Sequence, residues 1–128
     1  MVLVLSAREM ENKDYTDLDV WKEARRLVSG IYTLVKLFPE DEKYALISQL
    51  KRAAISVPSN IAEGVGRQHK NERIQFLYIS RGSLYEIETQ LLLAMDQGFI
   101  SEVDLKESFE QITSCKKLIQ GYINYLKK

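Results

Sequence analysis

The sequence predicts an all-α chain folded as an antiparallel up-down-up-down four-helix bundle, and three observations carry that expectation. Four segments repeat apolar residues at spacings of three and four, each long enough for several helical turns. The connections between them are short, which sets consecutive helices side by side and antiparallel. No stretch alternates apolar and polar residues over the length of a strand, and Gly 6 with Pro 2 supplies too few turn formers for a many-stranded fold. The 128 residues make one domain, at 45% hydrophobic and 28% charged residues, which is ordinary globular usage.

Residues 1–14 are expected to be a flexible N-terminal arm, with 15–128 as the bundle domain. Met1-Val2-Leu3-Val4-Leu5 is apolar but too short for a signal-peptide core, and no positive region precedes it. An ordered arm packing on a neighbouring subunit is the alternative. The first helix opens near Tyr15, where Thr16 and Asp19 have the spacing of a capping box and Asp17 is a second candidate cap. Val20, Ala24, Leu27, Ile31, Leu34 and Phe38 then line one face until Pro39 stops it.

The second helix is expected from Glu40-Asp41-Glu42, three acids that complement a positive helix end. Its stripe is Leu46, Leu50, Ala53, Val57 and Ile61. Pro58 lies inside this pattern and should bend the helix by releasing the Ala54 carbonyl. Gly64 and Gly66 are expected to end it in left-handed conformations. Asn71 is the expected cap of the third helix, whose stripe is Ile74, Leu77, Leu84, Ile87, Leu91 and Met95, with Gly98 as the terminating glycine. The fourth opens on a capping box formed by Ser101 and Asp104 and buries Leu105, Phe109, Ile112, Ile119, Ile123 and Leu126.

Four stretches carry a family resemblance: Leu18-Asp19-Val20-Trp21, Gln49-Leu50-Lys51-Arg52-Ala53-Ala54, Val57-Pro58-Ser59-Asn60-Ile61-Ala62-Glu63-Gly64 and Gly82-Ser83-Leu84-Tyr85-Glu86. From Tyr15 onward the chain resembles the bacterial four helix bundle protein family, also called the 23S rRNA intervening-sequence protein family. The resemblance implies a closed bundle assembled as a cyclic pentamer. It also implies kinship in fold with the accessory protein of diversity-generating retroelements, which works beside a reverse transcriptase. It implies no settled biochemical activity, and the ribosomal label of the family records gene location.

Composition narrows the function classes. Lys+Arg 18 against Asp+Glu 18 gives no net field toward nucleic acid or membrane, and no apolar run approaches a membrane span. One Cys excludes a disulfide framework within the chain, and with one His it argues against a metal site. His69 reads as a solvated loop residue and Cys115 as a small packing residue, so no catalytic group, metal or cofactor is expected.

Two constellations remain. Gln49, Arg52, Ser56, Asn60 and Glu63 form a polar stripe beside the apolar face of the second helix, and Ser83, Glu86 and Gln90 do the same on the third. Hairpin geometry pairs Arg52 with Glu86, and Ser56 with Arg81 or Gly82, as a polar network or subunit interface. A solvated face with incidental ion pairs is the plainer account. The other constellation is charge. Ile47 to Arg73 carries five bases against two acids, Ile74 to Ile112 two bases against seven acids, and Thr113 onward only bases. In an up-down bundle this makes one end basic, with Arg67, Lys70, Arg73, Lys127 and Lys128, and the other acidic. Repeated around a ring, the basic end would meet phosphates. The plainer account is complementarity to helix ends. Tyr78, Tyr85, Tyr122 and Tyr125 suit interfaces. The expected protein is a cytoplasmic, non-enzymatic homo-oligomeric scaffold. Its expected partners are itself and RNA, DNA or a nucleic-acid enzyme. The alternative is a protein-protein adaptor without a nucleic-acid role.

Overall fold

The computed structural model describes residues 14–128, so the arm expected at 1–14 lies outside it except for Asp14. A single 3-10 turn, Tyr15–Asp17, leads into α1 (Asp19–Leu34). The expected caps are not used here. The N-cap is Leu18, without a side-chain cap bond, while Asp14 accepts the Tyr15 N–H at 2.7 Å. Leu18 is 2% exposed, so the entry position is committed to the core rather than to capping. α1 tightens into a second 3-10 turn, Val35–Leu37, before Phe38 turns extended, as a residue preceding proline must.

The acids Glu40–Glu42 occupy their own 3-10 turn, and α2 (Leu46–Val65) starts later than their position suggests. Proline at position 39 fixes the turn's entry, and Glu42 reaches forward to accept the Leu46 N–H at 3.1 Å. The acid therefore satisfies the helix end from outside the helix. α2 continues through Pro58 without interruption.

Neither glycine at the end of α2 is left-handed. Gly66 is the C-cap at φ −76°, and among the described residues positive φ occurs only at Gly98, at 78°. Gly64 is buried inside α2 for a different reason. A Cβ there would stand 3.0 Å from Phe76 Cβ and 3.2 Å from the Arg73 carbonyl oxygen, so glycine permits close approach of the next helix.

That helix, α3 (Lys70–Asp96), is capped at His69 and not at Asn71. Gly98 ends it as expected, and α4 (Glu102–Lys127) opens on the expected capping box. Ser101 Oγ accepts the Asp104 N–H at 3.3 Å, and the Asp104 carboxylate accepts the Ser101 N–H at 2.9 Å. The Ser101 N–H and the Ser101 hydroxyl, which also donates to the carboxylate at 2.9 Å, hold the Asp104 carboxyl below the ordinary carboxylate range.

Packing joins consecutive helices and closes α4 onto α1, which is the square of an up-down-up-down bundle. The expected stripes meet at its centre. Leu27, Ile31, Leu50, Val57, Ile61, Leu77, Leu84, Ile87, Leu91, Ile112, Ile119 and Ile123 are all fully buried. The α2–α3 pair is the most intimate: Ser56 meets Ser83, the Val57 carbonyl meets Ser80, and Gly64 lies against Arg73 and Phe76, with little side chain between the backbones. Phe38 against Phe99, at 5.7 Å between centroids, ties the exit of α1 to the α3–α4 connection.

Candidate functional site

The polar stripe resolves into a compact hydrogen-bonded cluster and several residues outside it. Ser83 Oγ donates to Ser56 Oγ at 2.9 Å, one residue beyond the expected Gly82. Asn60 Nδ2 donates to the Ser56 carbonyl at 2.8 Å and to Ser56 Oγ at 2.9 Å. Ser80, fully buried, donates across the seam to the Val57 carbonyl at 2.9 Å. Ser56, Asn60 and Ser83 are therefore brought together, and Ser80 joins them.

The expected Arg52–Glu86 pair does not form. Both side chains are exposed, Glu86 accepts instead from Gln90 Nε2 at 3.1 Å, and Arg52 makes no ion pair among the described residues. The reason is the closeness of the helices. Small residues fill the seam, so the longer side chains at its rim point to solvent. Gln49 is exposed as well, and Glu63 pairs at 3.6 Å with Arg67, just beyond the end of α2. Gln90 Oε1 is enclosed and has no hydrogen-bond partner among the described residues.

The basic residues are distributed rather than clustered. Arg67 pairs with Glu63 and lies over the Phe76 ring at 4.6 Å, and its carbonyl accepts from Arg73 Nε at 2.7 Å. Lys127 Nζ donates to the Tyr78 hydroxyl at 2.9 Å. Tyr78 stands eight residues into α3, about 12 Å from its start, so Lys127 is set back from the Arg67–Arg73 rim. Lys70, Lys128 and His69 are exposed. The entry of α1 shares this end and brings Asp14, Asp17 and Asp19 with it, which the charge count along the later segments left out.

A second cationic feature went unnoticed in the sequence. Along the α3–α4 seam Arg81 lies over Tyr78 at 4.8 Å, Lys127 at 5.6 Å, and Lys116 lies over Tyr85 at 4.0 Å. Lys116 also bonds Glu88 at 2.8 Å, and Arg81 bonds Gln120 at 2.8 Å. The hydrogen bond from Lys127 lowers the Tyr78 pKa below the usual phenol value. The spacing of Tyr78, Arg81, Tyr85 and Glu88 carried the α3 half of this seam. The α4 half needed the register of a helix reached only through the fold.

Burial pushes the Cys115 thiol up to about 12, with the Glu23 charge adding to it, which suits a packing residue and not a thiolate nucleophile. Burial likewise raises Tyr122, partly opposed by the charge of Arg73. Among the described residues no group of three or more His, Cys, Asp or Glu is placed to hold a metal ion, and no helix is long and apolar enough to cross a membrane.

The fold has a solved counterpart. The crystal structure of a protein of unknown function from the S23 ribosomal protein family of Bacteroides thetaiotaomicron aligns at a TM-score of 0.75 and 23% identity, covering 81% of this chain and 97% of that one. A comparison with curated proteins finds no match. The model of the family described as 23S rRNA-intervening sequence protein matches residues 16–121, from the turn before α1 to within the last two turns of α4. The chain belongs to the 23S rRNA-intervening sequence protein family.

Proposed function

We propose that the protein is a non-enzymatic helical scaffold that assembles with copies of itself through the outer face of α3. The observation that carries this reading is a set of large apolar side chains that α3 leaves exposed outside the core. Its inner face is core, yet Ile79 (50%), Tyr85 (54%), Leu92 (42%) and Leu93 (48%) remain about half exposed on the other faces. Large apolar side chains exposed together on one helix mark an interaction surface, and a second copy would cover them. The hydrogen-bonded Ser56–Asn60–Ser83 cluster fits a role in fixing α2–α3 register, since its polar atoms are already partnered to each other.

The nucleic-acid reading draws on the exposed Lys70 and Lys128 and on the Arg67–Arg73 rim. It is weakened by the pairing of Arg67 with Glu63 and by the aspartates at the α1 entry. The test of assembly is sedimentation of the wild-type chain beside Ile79→Glu combined with Leu93→Glu. The variant is expected to sediment as a monomer with its helical content intact. Sedimentation unchanged from the wild type would place any interface elsewhere and overturn the α3 assignment.

A further inference from the structure

The outer seam between α1 and α4 holds a cleft of about 660 Å³, within the size range of small-ligand sites. Its chemistry is concentrated. Lys22, Arg25 and Arg26 fall on one helical turn, so three cations project from the same face of α1. Arg26 is paired with Glu23 at 3.0 Å, while Lys22 and Arg25 make no ion pair among the described residues. Among the described residues no acid lines the cleft. Trp21 forms one wall, fixed edge-on by Tyr15 at 5.4 Å between centroids. The Arg25 guanidinium lies over the indole at 5.4 Å, which leaves its N–H edge free to meet an anion. Thr16, Ser29 and Gln111 add neutral hydrogen-bonding groups to the lining.

We propose that this cleft binds the phosphate and base of a nucleotide. The cations would take the phosphate oxygens. The indole and guanidinium would take the flat face of the base, and the hydroxyls and amide the sugar or base edge. Phosphate alone would not use Trp21, and an apolar ligand would leave the cations unanswered. An acidic peptide would match the charge but not the flat wall. The same chemistry comes from two sources, a free nucleotide or the 5′-phosphorylated end of a strand.

Trp21 is the single tryptophan of the chain, so its fluorescence reports on the cleft directly. The full chain is titrated with ADP, with a short 5′-phosphorylated RNA, with the same RNA bearing a 5′-hydroxyl, and with inorganic pyrophosphate. Saturable quenching is expected from ADP, from the phosphorylated RNA, or from both, and the pattern names the source. Pyrophosphate is expected to bind more weakly than the better of these, and the hydroxyl RNA more weakly than its phosphorylated counterpart. Arg25→Gln with Lys22→Gln should weaken binding by roughly tenfold or more, as loss of a charge-assisted hydrogen bond does. Both positions are exposed, so the variant is expected to keep its helical circular dichroism spectrum. Absence of saturable quenching by either nucleotide probe at millimolar concentration overturns the proposal. So does binding undiminished in the variant, pyrophosphate binding as tightly as the better nucleotide probe, or measurable binding of both RNAs with equal affinity.

Discussion

Two glycines at one helix end do opposite things, and substitution should separate them. Alanine at position 64 would drive a Cβ to 3.0 Å from Phe76 and 3.2 Å from a backbone oxygen, so Gly64→Ala is expected to destabilise the protein by about 1–3 kcal/mol, as overpacking does. Gly66 has φ −76° and its nearest added contact is 3.5 Å, so Gly66→Ala should be neutral or stabilising by up to about 1 kcal/mol. Urea titrations of the two variants measure both signs. Cys115 supplies a pH prediction. Its thiol is raised from 9.0 to about 12 in the fold, so above pH 9 the unfolded chain binds fewer protons than the folded one. This group's contribution to stability is therefore retained below pH 9 and lost as pH rises toward 12. A Cys115→Ala variant, which cannot titrate there, should show a smaller fall in stability across the same window. An equal fall would assign the loss to other groups.

At the scale of the element, Pro58 and the Ser101 box test how the helices are built. Ser101→Ala removes one half of a reciprocal cap and should cost about 1 kcal/mol. Pro58 withholds the N–H that the Ala54 carbonyl would accept, in a helix that nevertheless continues to Val65. Pro58→Ala restores that donor and should raise the melting temperature. A lowered melting temperature would show instead that the α2–α3 seam depends on the proline's geometry. Stripe positions and the Ser101 and Gly98 boundaries were legible in the sequence, because periodicity and capping are local chemistry. Leu18 was not, because core packing claimed that position, and neither was the late start of α2, where Glu42 accepts the Leu46 N–H from outside the helix. The Ser56–Ser83 contact was nearly legible, as short-loop geometry gave the register to within a residue. Arg52–Glu86 failed because that geometry fixes neighbours along the helix axis and not which way a long side chain turns. The cleft between α1 and α4, like the α4 half of the α3–α4 seam, required the closed bundle. Of the Trp21 site the sequence showed only the first-helix residues.

The whole molecule is a bundle whose core is complete and whose third helix leaves four large apolar side chains exposed. Ile79, Tyr85, Leu92 and Leu93 give the isolated chain an apolar surface that its sequential neighbours do not cover. Charge does not oppose association, since 18 basic and 18 acidic residues cancel. Association driven by buried apolar surface should persist as salt is raised, whereas assembly held by the charged ends should weaken. Light scattering of the wild-type chain at low and high salt therefore tests the self-assembling scaffold most directly. The expected mass is the same multiple of 14.8 kDa under both conditions, and a mass of 14.8 kDa at working concentration would contradict it.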